Sequence, residues 1–155
     1  MKINLGTLNI TSSAFKHGER MPDDHSGNGS GVSPGLTWEG VPAATQSFAV
    51  IAHDWDAPLA RGFSHWVLYG IPAEVRELPQ GGGTEYTQGS NGLAAPGYVP
   101  AGPPPGHGDH FYYFHVYALD ADLGLEAGLT ADELLERITA HIIEQARIVG
   151  TYSND

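Results

Sequence analysis

Cysteine is absent from the chain. Disulfides, thiolate nucleophiles and thiolate-held metals are thereby excluded in one step. Cations are scarce as well: seven Lys and Arg stand against 18 Asp and Glu, giving a formal charge of −11. So few cations cannot form a basic patch, which argues against nucleic acid and anionic membranes as partners. The acidity reads as a solubility feature, compatible with weak binding to basic proteins. No apolar run approaches a membrane-spanning length, and the opening Met-Lys-Ile-Asn-Leu-Gly-Thr-Leu lacks the long apolar segment of a secretion signal. A cytoplasmic protein without stable membrane insertion is expected. Several enzyme signatures are missing too. There is no Gly-x-Ser-x-Gly elbow, no phosphate-binding Walker loop, and no GxGxxG leading from a strand into a helix.

What the chain does have is turns and short apolar runs. Its 155 residues include 21 glycines and 11 prolines, and 41 % of them are hydrophobic. That is the profile of one β-rich domain, residues 1–155, with enough apolar surface for a packed core. Residues Lys2 to Thr11 alternate loosely around Gly6 and Thr7, predicting two short strand pieces or one bulged strand. A strand end and turn over Ser13 to Pro22 lead into a polar loop from Asp23 to Gly35, followed by apolar Leu36 and Trp38. Ser47 to Asp54 is almost continuously apolar, as for a central strand covered on both faces, and Phe63–Ile71 and Phe111–Leu119 are similar. Gln80 to Ala95 is glycine-rich and shows no period.

One helix is marked. Thr130-Ala-Asp-Glu133 is a capping box, and Leu134, Leu135, Ile138, Ile142, Ala146 and Val149 recur at spacings of three and four. Gly150 would supply the stop, so the helix is expected to run from Thr130 to Gly150.

The most distinctive stretch is Pro96 to Asp120. Five prolines and four glycines up to Gly108 preclude a regular element, and from His110 an aromatic and β-branched run predicts a strand. Strand geometry puts His110, Tyr112 and Phe114 on one face, and Phe111, Tyr113 and His115 on the other. A stiff loop opening onto a His-x-Tyr pair makes a binding-site wall. Asp54 and Asp56 end the most apolar strand, where a carboxylate is costly unless bonded or used. Both could instead cap the following turn. His65 sits in an apolar strand, where an aspartate nearby would fix its tautomer and favour its charged form. Trp66 is expected on the opposite face, in the core. Ser64 and His65, as strand neighbours, point apart and should not pair. Asp54, His65, His107 and His110 are chemically competent to hold zinc but lack compact ligand spacing, so no metal is expected. His17 and His25 lie in polar surface and are assigned no role.

In order along the chain, the motifs Ser13–Pro22, Ser33–Pro42, Ser47–Ile51, Asp54-Trp-Asp-Ala-Pro58, His65–Pro72, Gly97-Tyr98, Gly102-Pro-Pro-Pro-Gly-His-Gly-Asp-His110-Phe-Tyr112 and Gly150-Thr-Tyr152 resemble the phosphatidylethanolamine-binding protein family, in its bacterial Raf-kinase-inhibitor-like branch. The resemblance implies an antiparallel Greek-key β-sandwich with peripheral helices, one of them packing near the C-terminus, and one small anion pocket. It implies that Asp54, His65, Gly102, His110 and Tyr112 line that pocket, with Asp56, Pro58, Pro103 and Pro104 supporting it. A cis Ala57–Pro58 bond is also expected. Two departures stand out: Trp55 replaces the family's proline, and the chain ends at Asp155 without the longer C-terminal segment of the mammalian proteins.

The function expected from these residues is non-catalytic binding of a small anion such as a phosphate group, a phosphoryl headgroup or acetate, without a cofactor. The two imidazoles, the Tyr112 hydroxyl and the loop amides would act as donors, so binding should weaken as pH rises past the histidine pKa. A role as regulator of a kinase or protease is compatible with this pocket, with Trp55 or the Asp23–Gly35 loop forming the rim, and so is a homodimer. The alternative is a weak hydrolase or metalloenzyme using Asp54 with His65 or His110.

Overall fold

The computed structural model describes residues 6–155. Ile3 and Leu5, part of the first predicted alternation, lie outside them. The elements are β1 (Asn9–Thr11), β2 (Leu36–Glu39), β3 (Ser47–Asp54), β4 (Phe63–Pro72), β5 (Glu77–Leu78), β6 (Thr87–Gln88), β7 (His110–Leu119), α1 (Ala131–Ile138) and β8 (Ile142–Tyr152). They form two antiparallel sheets, ordered β1-β2-β5 and β6-β4-β3-β7-β8. The polar loop after β1 contains one 3-10 turn, Asp23–His25.

Burial follows from side-chain alternation. One face of the large sheet presents Phe48, Val50, Ala52, Trp66, Leu68 and Phe114, which pack with Ile10, Leu36, Trp38 and Leu78 of the small sheet. The other face presents Ala49, Ile51, Val67, Tyr69 and Tyr117, covered by Leu134 and Ile138 of α1. β3, between β4 and β7, is therefore buried on both faces, which accounts for its apolar run. Each Val, Leu, Ile or Phe among them contributes roughly 1.5–3 kcal/mol when fully removed from water.

The helix begins as the capping box predicts. The Glu133 amide donates to the Thr130 hydroxyl, and the Thr130 amide donates to the Glu133 carboxylate, each at 3.2 Å. It is shorter than expected, however. It ends at Ile138, passes through a 3-10 turn at Thr139–His141, and the chain continues as β8. The reason lies in the spacing. Positions 138, 142 and 146 are four apart, which satisfies a helical stripe and, being an even number, also keeps one face of a strand. From Ile142 the chain is rich in β-branched residues, and pairing with β7 from Leu119↔Ile142 to His110↔Tyr152 satisfies its backbone. Long-range pairing outweighs the local pattern.

A second irregularity positions the site. On β4, Trp66 pairs with Ala52 and Ser64 with His53, so His65 is an extra residue in a bulge. Bulging places His65 and Trp66 on the same side of the sheet. His65 meets Tyr112 edge-on at 5.1 Å, and Trp66 packs in the core beside it. The expectation that the two face apart is thus corrected.

Candidate functional site

The ends of β3, β4 and β7 converge on one cavity of about 320 Å³, lined by Asp54, His65, Gly102, His110 and Tyr112 and walled by Pro58, Pro103 and Pro104. Register accounts for this. Asp54 pairs with Phe63 on one side and Tyr112 on the other, so His65 and His110 each lie two residues from a partner of Asp54. All five expected lining residues are brought together.

Asp54 is almost fully buried and both its oxygens are engaged. Its Oδ1 accepts the Asp56 amide at 2.8 Å, an Asx turn, and its Oδ2 accepts His110 Nδ1–H at 2.7 Å. Asp54 thus caps the turn after β3 with one oxygen and orients His110 with the other. Asp56 supports the pocket by accepting the Phe111 amide at 2.9 Å, which ties the turn to the start of β7.

His65 is held differently. Its Nδ1 lies 2.7 Å from the Val99 carbonyl, which can only accept, so the proton is on Nδ1. Burial holds its pKa below the ordinary 6.5, opposed in part by that carbonyl and by Asp54. At neutral pH His65 is uncharged, and Nε2 carries a lone pair. It therefore does not supply the donor expected from the sequence, and would instead accept a hydrogen bond from a protonated ligand oxygen.

Tyr112 supplies the clearest signal. Its hydroxyl is buried, and its proton finds no acceptor among the described residues. Burial and the charge of Asp54 push its pKa upward, with the Gly102 amide pulling weakly the other way, so the hydroxyl stays a donor. An orphaned buried hydroxyl is costly unless something else completes it.

Some residues had roles that sequence reasoning missed. His107, considered from the sequence only as a zinc ligand, is exposed, but its Nδ1 lies 2.9 Å from His110 Nε2. The remaining nitrogen of His110 is thus already paired. His107 stands between Gly106 and Gly108, whose φ values of +74° and +75° give the loop its shape. His25, expected on the surface, is buried, with Nδ1 2.8 Å from the Val32 carbonyl. Its backbone bonds Ala101 and the Tyr98 hydroxyl, so the Asp23–Gly35 loop braces the proline-rich wall from outside. His17 accepts the Val149 amide and is likewise structural. Trp55 is exposed, but its ring sits 4.2 Å from His53, toward the other sheet face, and is not part of this rim.

The expected cis Ala57–Pro58 bond is not found: all described peptide bonds are trans. Chain reversal comes instead from the Leu59 amide donating to the Ala57 carbonyl at 2.7 Å and from Gly62 at φ +67°. Among the described residues, no cluster of three or more side chains is placed to hold a metal ion, and no helix is long and apolar enough to cross a membrane.

A sequence profile described as phosphatidylethanolamine-binding protein matches residues 11–153, a span that includes every lining residue. The chain belongs to the phosphatidylethanolamine-binding protein family. A UPF0098 protein of Aquifex aeolicus is 38 % identical, covering 96 % of this chain and 90 % of the relative. The crystal structure of the phosphatidylethanolamine-binding protein homologue CT736 from Chlamydia trachomatis superposes with a TM-score of 0.91 at 36 % identity, covering 97 % of this chain and 99 % of that one. Escherichia coli YbcL, described as a member of the mammalian family, gives 0.88 at 34 % identity over 96 % and 99 % of the two chains. The resemblance read from motif order thus extends to the whole fold.

Proposed function

We propose that this cavity binds a small oxyanion, such as inorganic phosphate or a phosphoryl headgroup, without catalysing a reaction on it. The observation that carries the reading is the buried, unpartnered Tyr112 hydroxyl beside the Asp54–His110 pair. A phosphate oxygen would accept from Tyr112. Once His107 releases it, His110 Nε2 would accept from a protonated phosphate oxygen or, with both ring nitrogens protonated, donate to an unprotonated one. A protonated phosphate oxygen would donate to His65. The family name, which refers to phosphatidylethanolamine, supports a phosphoryl group as ligand. The engagement of both Asp54 oxygens supports binding over hydrolysis.

Titration calorimetry with inorganic phosphate on wild type and Tyr112→Phe tests this. Loss of a hydrogen bond to a charged group should weaken binding about 10- to 100-fold, while stability holds or rises because an orphaned buried hydroxyl is removed. Equal affinity of the two proteins would refute the reading.

A further inference from the structure

A second cavity, of about 280 Å³, opens on the opposite face of the large sheet. It shares only the apolar side chains Leu59 and Phe63 with the first. Ser64 and His53 face each other across β4 and β3 there, with the hydroxyl 2.9 Å from His53 Nδ1. His53 Nε2 lies 2.9 Å from the Arg61 carbonyl. A carbonyl only accepts, so Nε2 carries the proton, Nδ1 carries the lone pair, and Ser64 must donate to it. Burial also holds the His53 pKa below 6.5, so the imidazole is a free base at neutral pH.

The hydroxyl, the base that receives its proton and the group that orients the base are thus aligned in the order acyl transfer requires. The surroundings fit. Trp55, Leu59 and Leu135 make an apolar wall, and the start of α1 enters the same cavity. The backbone amides of Ala131 and Asp132 find no acceptor among the described residues. As the first amides of a helix they carry partial positive charge, suited to a carbonyl oxygen that becomes negative. Asp54 and Asp132 lie near enough to favour a positive His53 when it takes up a proton.

We propose that Ser64 and His53 form a nucleophilic dyad that cleaves small apolar carboxylic esters. Ser64 Oγ attacks the ester carbonyl carbon and its proton passes to His53 Nδ1. The bond from that carbon to the alcohol oxygen breaks, and His53 returns the proton to the departing alcohol. Water then attacks the acyl-serine, giving up a proton to His53. The acid leaves and Ser64 regains its hydrogen. A search for Gly-x-Ser-x-Gly could not find this pair, because the base lies on the neighbouring strand and the bulge at His65 sets the alignment.

The test is labelling of the intact chain by a serine-directed fluorophosphonate, with the modified peptide located by mass spectrometry, alongside p-nitrophenyl butyrate hydrolysis. The expected adduct is on Ser64, and it should vanish in Ser64→Ala. His53→Gln keeps hydrogen-bonding capacity but not the base, and should lower kcat/KM about 100-fold while circular dichroism stays unchanged. The wild-type rate should fall below neutral pH as His53 takes up its proton, a profile that His53→Gln loses. No adduct on folded wild type, or hydrolysis that survives Ser64→Ala, overturns the proposal.

Discussion

His110 and His53 face opposite sides of the same sheet, and their partners set them apart. His110 donates one nitrogen to a carboxylate, Asp54, at 2.7 Å, and His53 donates one to a carbonyl, that of Arg61, at 2.9 Å. A carboxylate supplies a full negative charge and can support an imidazolium, whereas a carbonyl dipole mainly fixes the tautomer. The first arrangement suits a pocket that receives an anion. The second suits a neutral base beside a hydroxyl. Burial keeps His53 neutral, while the acceptor behind each ring fixes the tautomer and, at His110, also supplies a negative charge.

The contrast breaks most completely at Asp54. Asp54→Ala leaves buried His110 without its acceptor and removes the cap on the Asp56 amide. It should cost about 3 kcal/mol in denaturant unfolding and abolish phosphate binding. A variant as stable as wild type would mean that the carboxylate does not hold the histidine.

A smaller effect sharpens the neutral side. Burial disfavours the charged forms of His53, His65 and His115, the last pushed down to about 4 from the ordinary 6.5 by burial and then by Arg147 and His53. The unfolded chain therefore binds more protons than the folded one. The stability these groups contribute is complete above 6.5 and is lost as pH falls toward about 4. Unfolding curves recorded from about pH 7 down to about pH 4.5 should show this decline, and His115→Gln should make it shallower. An unchanged slope would exclude His115 as a contributor.

The smallest effect probes His107. It occupies the nitrogen of His110 that a ligand needs, so displacing it costs one hydrogen bond. His107→Ala should tighten phosphate binding about 2- to 10-fold by calorimetry. Weaker binding would instead make His107 a ligand-holding residue in its own right.

Much of the first site could be read in the chain, because its residues occupy an ordered series of motifs. Asp54 ends an apolar run, and His110 and Tyr112 stand two apart at the start of an aromatic one. The second site could not be read, since nothing in the local pattern places Ser64 opposite His53. The His107–His110 contact was missed for a related reason: it depends on loop shape, set by two glycines at positive φ. The strand from Ile142 to Tyr152 was misread as helix because its apolar spacing suits both periods.

By itself the sequence determined the β-rich class, the central strand at Ser47–Asp54, the helix start at Thr130 and the family, since composition, capping chemistry and motif order are local properties of the chain. Where the helix stops, which way His65 points and what each histidine is paired with follow from contacts between distant parts of the chain. Those outcomes depend on strand register, and register is settled by which distant backbone groups and buried faces satisfy one another.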